Sequence, residues 1–255
     1  MKVKVLGSGT SQGVPVIGCN CNVCCSTDVR DTRLRVSILL SLEDENIIID
    51  TGPDFRQQML GAQVEYLKGI LLTHEHNDHI IGIDDVRSFI FKMRAPMPVY
   101  AEKRVIQELK TRFAYAFKEN PYPGSPRFDV NIINEYHSFS VGHFNIQAIR
   151  ISHGKLPILG FRVQNFAYLT DIKTIEKEEL EKLKSLDVLI ISALQKEPHH
   201  SHATLEEALA IIDRIKPRRT FITHLSHKMG CHADVEKELP AGVQLAFDGM
   251  EFYLE

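Results

Sequence analysis

The amino-acid sequence predicts an αββα sandwich, two β-sheets packed face to face with helices outside. Three observations lead there. Short β-branched runs recur along both halves of the chain, each bounded by Gly, Pro, Asn or Asp. Helical patterns fall between those runs. Adjacent runs at 35–42 and 46–50 read as a hairpin, which a doubly wound parallel sheet, the competing architecture, does not use.

The elements follow in order. Residues 2–6 (KVKVL), 36–42 (VSILLSL), 46–50 (NIIID), 69–73 (GILLT) and 97–101 (MPVYA) are the strands of the first half. Residues 144–152, 160–163, 166–171, 187–192, 219–224 and 243–249 are those of the second. The clearest helix lies in TLEEALAIIDRIKP, where Leu205, Ala208, Leu209, Ile212 and Ile215 share one face at helical spacing. Thr204 and Glu207 form a capping box, and Pro217 marks the stop. Residues 118–129 (KENPYPGSPRFD) are rich in Pro and Gly and read as a loop able to act as a flap. There is no repeat or low-complexity segment, and 255 residues fit one domain over 1–255.

Composition narrows the function classes. The chain is 44% hydrophobic and 25% charged, enough to bury a core. A net charge of −3 demands neither nucleic acid nor an anionic membrane as partner. No apolar run spans a bilayer, and MKVKVLGSG alternates like a strand rather than a signal peptide. A cytoplasmic location is expected. Cytosolic thiols stay reduced, which weakens a disulfide reading of the five cysteines. Adjacent Cys24 and Cys25 also make a poor disulfide pair.

Twelve histidines and no tryptophan stand out, because the histidines cluster in THEHNDH, PHHSH and THLSH. The strongest signal is GILLTHEHNDHIIGIDD. An apolar strand ends at Thr73 and ligand-type residues follow. Alternate residues at a strand end share a face, so His74 and His76 converge on one metal. Asp78 and His79 sit where a helix begins and suit a second metal close by. A single His would read as an exposed loop residue; three His and one Asp within six positions read as a metal site.

These residues resemble the HxHxDH motif of the metallo-β-lactamase superfamily. The resemblance makes the sandwich one of the metallo-β-lactamase type and implies three further ligands at later strand ends: His153 in IRISHG, Asp171 in FAYLTD and His224 in FITHLSH. It implies one metal on His74, His76 and His153. A second sits on Asp78, His79 and His224, with Asp171 bridging at a metal separation of roughly 3.5–4 Å. Asp50 in IIIDTG would hold a ligand histidine from behind. Diiron relatives replace the His76-type ligand with Glu, so His76 favours a hydrolase. Zn, Mn, Fe and Co all suit such donors.

The loop IGCNCNVCCS carries Cys19, Cys21 and Cys24 as C-x-C-x-x-C, three soft ligands of a structural zinc site. His227, three residues after His224, offers the fourth; Cys231 is a weaker candidate. Cys25 does not fit the spacing and reads as a spare buried thiol. Together with GSGTSQGVPVIG, THLSH and ELPAGVQLAFDGM, this loop resembles the cyclic-phosphate phosphodiesterases of the carbon–phosphorus lyase pathway of phosphonate degradation. The pyrroloquinoline-quinone biosynthesis B group shares the loop.

The expected function is hydrolysis of a small, cyclic phosphodiester, with a hydroxide held by the two metals as nucleophile and Asp78 and His202 as catalytic residues. Two dications, two carboxylates and a hydroxide leave the site positive, which suits an anionic transition state. His202 in HHSHATLEEAL matches a histidine that phosphodiesterases and tRNA-maturation endonucleases of the superfamily place beside the metals, as general acid or transition-state stabiliser. His199 and His200 read as solvated neighbours, and His137, His143 and His232 as structural or exposed. Lys155 and Arg87 read equally as phosphate contacts or surface charges. The alternatives are a tRNA-maturation nuclease, for which residues 118–129 are a short and weakly basic arm, and a quinone-biosynthesis metal-binding or carrier protein. Relatives imply a homodimer.

Overall fold

Alternation explains the sheets. In the third strand Ile47 and Ile49 face one way and Ile48 the other, and all three are fully buried because both sheet faces are covered. The computed structural model describes residues 1–254. The strands are β1 (Lys2–Gly7), β2 (Ser37–Leu42), β3 (Glu45–Ile49), β4 (Gly69–Leu71), β5 (Met97–Ala101), β6 (Phe128–Ile132), β7 (Phe139–Val141), β8 (Phe144–His153), β9 (Leu156–Val163), β10 (Phe166–Leu169), β11 (Val188–Ser192), β12 (Arg219–Thr223), β13 (Val243–Leu245) and β14 (Glu251–Tyr253). The helices are α1 (Phe55–Ala62), α2 (Asn77–Ile80), α3 (Arg87–Met93), α4 (Lys103–Arg112), α5 (Lys177–Glu181), α6 (Leu205–Ile215) and α7 (His232–Val235).

Two seven-stranded sheets result, in the orders β14-β1-β2-β3-β4-β5-β6 and β13-β12-β11-β10-β9-β8-β7. The central core joins Val5, Ile38, Leu40, Ile47 and Ile49 of one sheet to Phe144, Phe161, Phe166, Tyr168 and Ile190 of the other. Ile48, Ile70 and Leu72 pack outward against α1, α3 and α4. Leu189, Ile191 and Ile222 pack outward against α6. The αββα sandwich is therefore the fold, and β2 and β3 form the expected hairpin.

Three strands escaped sequence reading. β6, β7 and β14 all lie at sheet edges, where one missing neighbour removes the need for a regular apolar pattern. In α6 the capping box of Thr204 and Glu207 forms, and Lys216 ends the helix in a left-handed conformation. Its buried face is Leu205, Ala208, Ile211, Ile212 and Ile215; Leu209 is only partly covered.

β3 and β4 run parallel, as do β10, β11 and β12, so their carboxyl ends gather on one side. Three residues just past strand ends have left-handed backbones: Asp50 (φ 65°), Asp171 (φ 58°) and His224 (φ 58°). Non-glycine residues adopt this region rarely, and it clusters at functional sites.

A buried ionic network closes the chain behind that side. Arg33 is 3% exposed and donates to Ser8 Oγ at 3.1 Å, to the Ala246 carbonyl at 2.7 Å and towards His232 Nδ1 at 3.2 Å. Its guanidinium lies 3.8 Å from Asp31, which accepts from the His232 amide at 2.7 Å. Asp248 accepts from Ser8 and from the Leu34 amide. His232 is thus a neutral acceptor facing a cation, and burial together with Arg33 lowers its pKa to about 4.

The unfolded chain takes up this proton near pH 6.5, the folded one only near pH 4. The contribution is complete above pH 6.5 and is lost as pH falls towards 4, at a cost of up to about 3 kcal/mol. Asp248, raised to about 6 by burial, titrates in the opposite sense. Comparing wild type with His232→Gln cancels it. Their difference in unfolding free energy should shrink by up to about 3 kcal/mol between pH 6.5 and pH 4. A difference constant with pH would mean that His232 protonates equally well folded and unfolded.

Candidate active site

The site begins where β4 stops pairing. The Leu72 amide still donates to Tyr100, at 3.0 Å. The Thr73 amide donates instead to Asp50 Oδ1, at 2.9 Å, so the strand ends two residues before sequence reading placed its end. Asp50 is fully buried and also accepts from Thr73 Oγ1 and from His79 Nδ1, the latter at 2.7 Å. Burial pushes the Asp50 carboxyl up, against the pull of His79 and Thr73.

Thr73 spends its proton on Asp50, so His74 Nδ1–H donates to Thr73 Oγ1, at 3.0 Å. His79 Nδ1–H is spent on Asp50 in the same way. His153 Nδ1–H donates to the Ser201 carbonyl at 2.8 Å. Three imidazoles are thereby locked in one tautomer, each delivering an Nε2 lone pair to the centre. His74 Nε2 meets His76 Nδ1 at 2.9 Å.

The donor atoms of His74, His76 and His153 lie within 4.8 Å of one another. So do those of Asp78, His79 and His224, and those of His74, His79 and Asp171. Asp171 Oδ2 is 3.3 Å from His79 Nε2, and Oδ1 is 3.2 Å from His224 Nε2. Asp78 Oδ2 is 3.3 Å from His79 Nε2 and 3.8 Å from His224 Nε2. The structure thus brings all seven predicted donors together, with Asp171 between the two groups.

Burial opposes a charge on His79, yet Asp78, Asp171 and Asp50 override it and raise its pKa well above the usual value, so without a cation Nε2 holds a proton that a bound ion would displace. Burial likewise opposes ionisation of Asp171, and His224 and His79 override it, pulling its pKa far down. Despite these neighbours, His79 Nε2 and both ring nitrogens of His224 are buried without a hydrogen-bond partner. An unpartnered buried nitrogen costs about 1–3 kcal/mol. Lone pairs beside buried carboxylates are what divalent cations take as ligands, so the donor set fits two such ions.

His202 joins the cluster from the turn before α6. Its ring lies 4.4 Å from that of His153 and 4.9 Å from that of His224, and its Nδ1 is 3.6 Å from Asp171 Oδ1. Burial and His224 lower its pKa to about 3. His199 Nδ1 instead accepts from the Ser201 and His202 amides and braces that turn, while His200 is exposed.

The donors open onto a cavity of about 370 Å³ whose lining adds Ser11, Asn77 and Arg112. Sequence reading gave none of the three a role: Asn77 and Ser11 sit within quoted motifs at positions assigned no ligand, and Arg112 comes from a segment without one. Lys155 is exposed and Arg87 pairs with Asp84, and neither lines the cavity. Residues 118–129 do not line it either, so they are not a flap in this conformation.

The cysteine loop forms a separate cluster. Cys19, Cys21 and Cys24 place Sγ at 3.3, 3.5 and 3.6 Å from His227 Nδ1. A tetrahedral zinc with ordinary Zn–S and Zn–N bonds sets that edge at roughly 3.6 Å. A backbone hydrogen bond from Cys24 and contact with His227 lower the Cys21 thiol to about 6, towards the thiolate that a metal takes. Cys231 is not part of this cluster. Cys25 is exposed rather than buried, because Val23 takes the inward position of that turn. Cys21→Ser should lose about one zinc by elemental analysis while the other metals stay; loss of all metals, or of none, would disprove two separate sites.

The family model described as the beta-lactamase superfamily domain matches residues 45–225. A curated octanoyltransferase of Porphyromonas gingivalis is 40% identical over 257 residues, covering all of this chain and 52% of that protein. A coenzyme PQQ synthesis protein B of Xanthomonas oryzae pv. oryzae is 30% identical over 123 residues, 43% of this chain and 40% of that protein. The chain thus spans about half, or less, of the length of these curated relatives. Among solved structures, a diphosphatase from the PhnP family is 36% identical, with a TM-score of 0.93, covering 100% of this chain and 98% of that one. Human tRNase Z, short form, at 20% identity and a TM-score of 0.73 over the full length of both chains, shares the fold. The chain belongs to the metallo-β-lactamase superfamily of metal-dependent hydrolases, on its PhnP-like branch.

Proposed function

We propose that this chain is a dinuclear metal-dependent phosphodiesterase acting on a small, cyclic phosphodiester. The observation that carries the reading is the set of unpartnered buried nitrogens on His79 and His224, held between Asp78 and Asp171. His74, His76 and His153 would hold one cation, and Asp78, His79 and His224 the other, with Asp171 shared. Zn or Mn are the candidates, and Cys19, Cys21, Cys24 and His227 would hold a further zinc. When bound, the two cations would lower the pKa of water and polarise a phosphoryl oxygen.

The chain's own residues do the rest. Asp50 fixes His79, and Ser201 fixes His153, so the donors need no rearrangement. Asp78 orients the attacking water, and His202 holds the leaving oxygen by a hydrogen bond. Water's oxygen joins phosphorus, the P–O ester bond breaks, and the leaving oxygen takes the proton. The diphosphatase relative supports phosphoryl chemistry at such a site. The octanoyltransferase name is not carried over, because it describes a protein about twice as long.

The reading extends to one domain over 1–255 in a cytoplasmic homodimer. Among the described residues no helix is long and apolar enough to cross a membrane. Purified protein with added Mn²⁺ or Zn²⁺ should hydrolyse bis(p-nitrophenyl) phosphate and a cyclic ribose phosphate, and leave precursor tRNA intact. No phosphodiester hydrolysis with any metal would overturn the proposal.

A further inference from the structure

Glu75 stands between two metal donors and is not one itself. Successive side chains of an extended segment point to opposite sides, so His74 and His76 face the cluster and Glu75 faces away. There it meets helix α4, where Arg104 pairs with it. The Glu75 side chain is 15% exposed and its Oε2 is buried without a hydrogen-bond partner. Among the described residues Arg104 is the one partner of its Oε1. The same guanidinium reaches the other sheet, where its Nη2 donates to the Pro157 carbonyl at 2.7 Å. Pro157 lies in β9 opposite Ser152 of β8, next to His153 at the end of that strand. A second tie runs alongside, from the Leu159 amide to the Thr73 carbonyl at 3.2 Å.

Arg104 is itself held. Glu102, the residue before α4, lies 3.7 Å from its Nη2 and accepts from Arg150 Nη1 and Nη2 at 2.9 and 2.5 Å. Arg150 also donates to Glu135, through Nε at 3.2 Å and Nη2 at 2.8 Å. It stands in β8, three residues before His153. Paired forks of this kind fix direction as well as charge. Two arginines and three carboxylates thus join the His74–His76 segment to the hairpin that carries His153. Among the described residues, no hydrogen bond from these five side chains reaches Asp78, His79, Asp171 or His224.

We propose that Arg104 is a positioning residue: by bonding Glu75 and Pro157 together it sets the spacing of His74, His76 and His153, and with it the affinity of that one cation site. The inference rests on the dinuclear reading and deepens it. Two of these donors come from one sheet and the third from the other. A cation with metal–nitrogen bonds of about 2.0–2.1 Å tolerates errors of only about 0.2 Å, so the separation of the sheets is part of the site. Without Arg104 the Glu75 carboxylate is stranded beside two donors, and the hairpin is untied from the loop. The group of Asp78, His79 and His224 keeps its own brace, His79 on Asp50. The two cations should therefore separate in affinity.

The test is dialysis of the zinc-loaded full chain against rising nitrilotriacetate. Elemental analysis counts the zinc, and the ring-nitrogen NMR signals of the histidines tell metal-bound from free imidazole. Arg104→Met should release one active-site zinc at a chelator concentration about 10–100-fold lower than wild type. The signals of His74, His76 and His153 should turn free first, while those of His79 and His224 stay bound. Arg104→Lys, which keeps the charge but reaches one partner at a time, should show the same order at smaller size, and it serves alone if the methionine variant does not fold. Arg87→Ala, whose ion pair lies away from the donors, should match wild type. Release from both histidine sets together, or from neither, would make Arg104 an ordinary structural residue and overturn the assignment. A wild type that holds both cations yet hydrolyses no phosphodiester would overturn the phosphodiesterase reading alone. A wild type that holds no cation on these histidines would overturn both.

Discussion

Asp171→Ala should lower phosphodiesterase turnover by about a thousandfold or more and release at least one active-site cation, as read by kcat and by elemental analysis. No other carboxylate here touches so many partners. Its oxygens reach His79 Nε2 at 3.3 Å, His224 Nε2 at 3.2 Å and His202 Nδ1 at 3.6 Å, while Thr170 Oγ1 donates to it at 2.6 Å. On the proposed dinuclear reading, removing it would leave two cations without their shared anion. Asp50→Asn should cost less, about 10–100-fold, because Asp50 acts only through His79 and Thr73. An Asp171→Ala enzyme within tenfold of wild type, with its metals in place, would show that Asp171 bridges nothing.

Arg33→Met should destabilise the fold by about 3–5 kcal/mol, the usual result of stranding a buried partner charge. Asp31, 2% exposed, would face an apolar side chain, and Ser8 and Ala246 would lose their donor. For a chain of this size the melting temperature should fall by about 10 °C. The zinc content of the cysteine loop should weaken with it, since Asp31 also accepts from Ser26, next to Cys25. Chemical denaturation is the direct check. A loss below about 1 kcal/mol would mean that the network relaxes without its arginine.

Local patterns were legible, and distant ones were not. β-branched runs revealed the central strands because both their faces are buried. THEHNDH revealed the donors because strand-end geometry needs them close together in the chain. The resemblance to the metallo-β-lactamase superfamily implied His153, Asp171 and His224 at later strand ends. By contrast, Arg33, His232 and Asp248 meet across some two hundred residues, and no spacing rule links them. Arg104 is a commonplace helix arginine until Glu75 and Pro157 give it a direction. Cys25 misled because a cysteine among cysteines suggests burial, whereas the tight turn leaves room inside only for Val23.

The left-handed backbones at Asp50, Asp171 and His224 bear on how such a protein responds to laboratory selection. Each costs about 1–2 kcal/mol relative to a residue without a Cβ. Glycine at these positions relieves the backbone, and at Asp50 it also removes a carboxyl whose ionisation burial opposes. A library screened for heat resistance alone, without metal, should therefore enrich glycine at 50 and 224 and discard chemistry first. Screening with a divalent cation present should reverse the enrichment, because the bound ion then rewards the same strained side chains.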